Sequence, residues 1–161
     1  MLQRRYRWPP AATVPRVLLA SWAMLALFLS GCAVQWVAEY DEATEERLIA
    51  TYERVNRFYD SLADTAPAER GYDKFVKGWT DIATDLRVVA LRQKARPGNA
   101  ESQQIIDRLV ENWEQTRARH KQRSREPEHR SNPYPDSLIA LDRSQLEAQF
   151  AAAVVAEVSK R

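Results

Sequence analysis

The residues able to do chemistry are few. The chain holds one cysteine, Cys32, and two histidines, His120 and His129. Cys32 is the only thiol nucleophile, and it follows an apolar run, Val17 to Leu29, and two small residues, Ser30 and Gly31. A solitary cysteine excludes an intrachain disulfide framework and a multi-cysteine zinc site. No G-x-S-x-G, H-E-x-x-H, P-loop, Rossmann glycine pattern or C-x-x-C-H haem signature is present. Glu126-Pro127-Glu128-His129 carries the Glu-x-x-His spacing of di-metal helical bundles, but its proline places it in a loop and no partner motif exists. Asp81 and Asp85 stand four apart beside an apolar stripe and read as a solvated face. His120 and His129 straddle a helix end and read as surface residues. The expectation is no catalytic residue, no metal site and no enzyme.

The surroundings of Cys32 carry more. Residues 1–31 contain Arg4, Arg5, Arg7 and Arg16 and no acid. The apolar run after them covers roughly 20 Å as a helix, short of the roughly 30 Å hydrocarbon core of a bilayer. A basic start, a short apolar core and small residues describe a secretory signal peptide. Leu29-Ser30-Gly31-Cys32 resembles the bacterial lipobox. The resemblance implies that Leu29, Ser30 and Gly31 guide signal peptidase II, which cuts before Cys32, and that Cys32 is lipidated. The only prosthetic group implied is that covalent lipid. Ala33, where an Asp would favour the inner membrane, points to the inner leaflet of an outer membrane facing the periplasm, with the inner membrane as the alternative. The expected organisation is a cleaved signal peptide at 1–31, a lipidated tether at 32–41 and a helical domain at 42–161.

Charge changes meaning at that boundary. The whole chain has 24 Lys+Arg, 22 Asp+Glu and a net charge of +2. Removing the four Arg of residues 1–31 leaves 20 cations against 22 acids, a net charge of −2. The basic balance of the full chain therefore belongs to the targeting segment.

The remainder has apolar residues at three- and four-residue steps and no clear alternating strand. A first helix is expected over 42–64, with Asp41 as N-cap and Leu48, Tyr52, Val55, Tyr59 and Leu62 on one stripe. A second is expected over 72–95, with Tyr72, Phe75, Val76, Trp79, Ile82, Ala83, Leu86, Val89 and Ala90 inward, ended by Arg96-Pro97-Gly98. A third, capped by Asn99, is expected over 100–121, with Ile105, Ile106, Leu109, Val110, Trp113 and Thr116 on one face. Residues 122–136 hold three prolines and read as a basic loop. Ser144 and Glu147 stand at capping-box spacing, which predicts a fourth helix over 145–159 with Leu146, Phe150, Val154 and Val158 inward. The fold class is all-α: a small antiparallel bundle of three to four helices after an N-terminal lipoprotein signal peptide.

Charge is segregated along this domain. Residues 39–64 hold eight acids against three Arg. Arg117, Arg119, Lys121, Arg123, Arg125 and Arg130 face only Glu126 and Glu128 and form a candidate patch for an anionic partner. The plainer reading is a solvated helix end, where cations suit the dipole. An extracytoplasmic protein has little access to nucleic acid. The partners expected are the membrane through the lipid, and an envelope protein or anionic polymer.

Tyr40-Asp41, Thr44, the turn Ala95 to Asn99, Gln104, Leu109, His120 and the C-terminal Phe150, Glu157 and Lys160-Arg161 together resemble a group of small proteobacterial envelope lipoproteins. The resemblance covers roughly residues 29–121 and the last helix. It implies an envelope location and a helical fold, and supplies no activity. The function expected is a non-enzymatic structural or accessory interaction module. The alternative is a small apolar ligand or lipid binder using a groove between helices.

Overall fold

The structure is a computed structural model that describes residues 38–161. Four helices account for most of them: α1 (Glu42–Ala63), α2 (Tyr72–Lys94), α3 (Ala100–Arg123) and α4 (Asp136–Val158). Single 3-10 turns at Pro67–Glu69 and Pro127–His129 sit in the connections α1–α2 and α3–α4. No strand occurs among the described residues, and no helix there is long and apolar enough to cross a membrane.

Side-chain pairs fix the directions. Asp41 meets Arg92 while Phe58 meets Phe75, so α1 and α2 run antiparallel. Arg87–Glu114 with Trp79–His120, Asn112–Gln149 with Arg119–Asp142, and Arg143–Asp60 with Tyr52–Phe150 give the same result for α2–α3, α3–α4 and α4–α1. Each helix therefore packs on the helix next to it in sequence, and α4 closes the ring onto α1. The short α1–α2 and α2–α3 connections favour antiparallel neighbours.

The stripes meet as expected along one core. Leu48, Val55, Tyr59 and Leu62 of α1, Trp79, Ile82 and Leu86 of α2, Ile106, Leu109 and Trp113 of α3, and Leu146 and Phe150 of α4 are all buried. Trp79 and Trp113 lie at its centre with ring centroids 4.5 Å apart, and Phe58 sets its edge against Trp79 at 4.7 Å. Gly78 makes that approach possible. A Cβ there would stand 2.6 Å from the Phe58 ring. Gly98, with φ 70°, makes the left-handed residue in the turn from α2 to α3, which a glycine adopts without Cβ strain.

Four expectations are corrected. Val76 faces outward and is 40% exposed. The third helix continues to Arg123, so the connection is 124–135, shorter than the expected 122–136. That connection is not a purely solvated loop, because Tyr134 is fully buried in the core. The fourth helix starts at Asp136, not after Ser144. Pro135 fixes the entry, and its carbonyl accepts from the amides of Leu138 and Ile139 at 2.9 and 3.1 Å. Ile139 and Asp142 then face inward a full turn before the capping-box pair. Ser144 and Glu147 are simply exposed residues in mid-helix, where their spacing has no capping work to do. Ser144→Ala should therefore change unfolding free energy by less than about 0.5 kcal/mol, rather than the roughly 1 kcal/mol that loss of an N-cap costs. Chemical denaturation of the two proteins measures the difference.

Candidate functional site

Leu29, Ser30, Gly31 and Cys32 lie outside the described residues. The described chain begins close by, at Ala38, and its entry is firmly held. The Ala38 amide donates to the Gly98 carbonyl at 3.0 Å, and Ala38 is buried. Arg96 donates to the Glu39 carbonyl. The Asp41 amide donates to Glu157 Oε1 at 2.8 Å. The Asp41 carboxylate does not cap the amides of α1 as expected; it accepts from Thr44 Oγ1 at 2.7 Å and Arg92 Nη2 at 2.8 Å.

Glu157 is the hub of this end. It is 1% exposed and accepts from the Asp41 amide, Gln93 Nε2, Arg96 Nη1 at 3.0 Å and Lys160 Nζ at 2.7 Å. Burial alone would push its carboxyl up, but the donors from Lys160, Gln93, Asp41 and Arg96 outweigh it and hold the group below the ordinary value. The chain entry, the α2–α3 turn and the C-terminal turn of α4 thus close on one carboxylate. Asn99, expected to cap α3, is drawn into the same network. Its Nδ2 donates to Gln93 and its Oδ1 accepts from Lys160 at 2.6 Å, so its side chain makes no capping bond.

The opposite end is built around His120, which is fully buried and not a surface residue. Trp79 Nε1 donates to His120 Nδ1 at 3.0 Å, so the ring proton sits on Nε2, which donates to the Arg70 carbonyl at 2.8 Å. Burial holds the imidazole below its ordinary value of 6.5; the Arg70 carbonyl acts in the opposite sense and does not outweigh it. The Arg70 guanidinium, also buried, donates to the carbonyls of Thr65, Ala63 and Tyr134 and to Asp136 Oδ1 at 2.6 Å. Tyr134 stacks on His120 with centroids 4.5 Å apart and donates its hydroxyl to the buried Asp142 at 2.5 Å. Burial raises the Tyr134 hydroxyl far above its ordinary value.

The six cations of the basic stretch do not form one field. Arg117 donates to the Tyr72 hydroxyl at 2.8 Å, and Arg119 pairs with Asp142. Arg123 donates to the Pro133 carbonyl at 3.1 Å and points Nη1 at His129 Nε2. Lys121 lies 5.8 Å from the Tyr72 ring centroid, exposed. Arg125 and Arg130 are exposed and carry no ion pair among the described residues. Three of the six therefore hold the fold, and three face solvent.

Glu126, Glu128 and His129 each bring one ligand atom within 4.8 Å of the others. His129 Nε2 already faces Arg123 Nη1 at 3.1 Å, and a guanidinium there opposes a bound cation. Asp81 and Asp85 do not work as a pair: the first binds Lys77 and the second Arg54.

One groove opens beside the chain entry, between the first turn of α3 and the last turn of α4. It has a volume of about 590 Å³ and is lined by residues including Ala100, Ser102, Ile105, Ala156 and Lys160.

The chain matches no protein-family model, no curated protein and no solved structure.

Two outcomes follow from this geometry. Glu157→Ala leaves buried Lys160 and half-buried Arg96 without their acceptor, and should cost about 3 kcal/mol or more. The same change at exposed Glu42 should cost under about 0.5 kcal/mol, and a pair of denaturant melts compares them. Native His120 takes up a proton less readily than the unfolded chain, whose imidazole is protonated below about pH 6.5. Stability is therefore intact above pH 6.5 and falls as pH drops below it, by up to about 1.4 kcal/mol per pH unit. Denaturant midpoints between pH 8 and 5 should show this slope, and His120→Gln should flatten it.

Proposed function

We propose that this protein is a non-enzymatic, lipid-anchored envelope protein, a structural or accessory interaction module facing the periplasm. The lipobox Leu29-Ser30-Gly31-Cys32 around the only cysteine carries the reading. The inner-leaflet face of an outer membrane fits Ala33. Two or more lipid chains make a stable anchor, as one does not.

The fold lends this reading a geometry. Six chain steps from Cys32 to Ala38 reach at most about 20 Å. An anchor at Cys32 then keeps the Glu157 end of the bundle near the membrane. The turn after α3 stands away from that end by the length of a 24-residue helix, about 36 Å. Exposed Lys121, Arg125 and Arg130 lie at or beyond the other end of α3. An envelope protein or an anionic polymer is the partner proposed for them. The absence of an enzymatic role is supported by the buried ionisable groups: His120, Asp142, Arg70 and Glu157 are each engaged by internal partners that hold the fold.

A second reading, a binder of a small apolar ligand or lipid, is favoured by one observation, the groove between α3 and α4.

Radiolabelled palmitate fed to cells should enter the wild-type chain and not Cys32→Ala. An unlabelled wild type would end the anchor reading. Fractionation should then move Cys32→Ser out of its wild-type membrane fraction.

A further inference from the structure

The chain enters the bundle beside the groove between α3 and α4. The Ala38 amide donates to the Gly98 carbonyl, and Gly98 is itself part of the groove wall. From there the chain alternates: Ala38 is buried, Glu39 is exposed and Tyr40 is half-buried. Asp41 has extended backbone, with φ −129° and ψ 98°. Successive residues of an extended segment point to opposite sides. Trp36 and Val37 lie outside the described residues. The same period carried back over them turns Val37 away from the bundle and Trp36 to the side of Ala38. Two chain steps from Ala38 span at most about 7 Å, which keeps Trp36 within reach of the groove.

The wall suits an aromatic ring. Ala100, Ile105 and Ala156 supply apolar surface, and a volume of about 590 Å³ is ample for an indole. The buried side-chain polar atoms without a partner among the described residues are Tyr59 Oη, Arg92 Nε, Arg119 Nε and Asn132 Oδ1, and none of these residues lines the groove. The Lys160 ammonium is taken up by Asn99 Oδ1 and Glu157 Oε2. The wall therefore calls for an apolar occupant. A tryptophan gains much from burial and needs one acceptor for its N–H. Glu101, exposed at the rim, carries a carboxylate that can accept it.

We propose that the groove is the seat of this chain's own Trp36. The ring lies along Ile105 and Ala156 and extends the entry that Ala38 and Asp41 already fix. Burial of the indole drives the docking, and the Ala38–Gly98 hydrogen bond sets its register. The free tether shortens as a result. Four chain steps from Cys32 to Trp36 span at most about 14 Å, where six steps to Ala38 span about 20 Å. The docked ring also competes with any external apolar ligand for the same wall. The inference goes beyond the proposed function and holds whether or not Cys32 is acylated.

Nuclear magnetic resonance of the full chain in detergent micelles tests it. Overhauser contacts are expected from the Trp36 ring to the methyl groups of Ile105 and Ala156. Hydrogen exchange at the Ala38 amide should quicken about tenfold in Trp36→Ala, because the docked ring no longer holds the entry closed. Trp36→Phe should keep most of that protection. Ala156→Leu, which fills the groove, should remove the contacts to Ile105 and quicken Ala38 exchange as Trp36→Ala does. Thermal melts check that each variant folds; should Ala156→Leu fail, the two changes at Trp36 decide, since that residue lies outside the bundle core. A Trp36 ring without contacts to Ile105 and Ala156 in the wild type would overturn the proposal. So would Ala38 exchange that Trp36→Ala leaves unchanged.

Discussion

The hydrogen bond from Trp79 to His120 is the interaction on which the rest of the bundle is hung. The Trp79 indole donates to His120 Nδ1, and its backbone carbonyl accepts from the Trp113 indole at 3.0 Å. Both tryptophans are fully buried, and an indole N–H left without a partner there would be costly. The imidazole is the group on α3 that can accept this proton while handing its own to the Arg70 carbonyl. Arg70 in turn gathers the end of α1 and the start of α4. One chain of donors and acceptors thus fixes α2 against α3 and seats both connections at that end.

The two ends of the bundle solve the same problem differently. At the His120 end the polar groups are buried among aromatic rings and are mostly neutral, apart from Arg70 and Asp142. At the Glu157 end they are charged, with one carboxylate answered by a backbone amide, an amide side chain and two cations. A buried charge is tolerated only where such donors surround it. The Glu157 end also meets the incoming chain, so Ala38 to Asp41 are tied into the bundle. It also leaves the start of α3 open at the groove, because Asn99 serves the carboxylate network instead of the helix.

The basic stretch illustrates how charge counts mislead. In sequence Arg117, Arg119 and Arg123 look like members of a cationic run. In three dimensions helical spacing turns them toward different neighbours: Tyr72 of α2, Asp142 of α4 and the connection at Pro133. A run of like charges becomes a surface only where the residues share a face and lack partners.

The sequence by itself determined the helices. Stripes such as Leu48-Val55-Leu62 and Trp79-Ile82-Leu86 have no other way to bury themselves, and Pro67 and Pro97-Gly98 mark the breaks. It also carries the proposal for Cys32, because a lipobox-like motif is read from four adjacent residues. The buried polar network was partly legible. His120 continues the Trp113-Thr116 face, and Asp142 and Glu157 flank Leu146-Phe150-Ala153 at three- and four-residue steps, so each sits where a core residue belongs. Arg70 gave no such signal, since it lies in a connection and its carbonyl acceptors are Ala63 and Thr65 just before it and Tyr134 far along the chain. Only the tertiary structure decided where α4 begins, which cations face solvent and where a groove opens. Helix periodicity is encoded within a few residues, whereas partner choice for a buried polar group depends on which chain segments packing brings beside it.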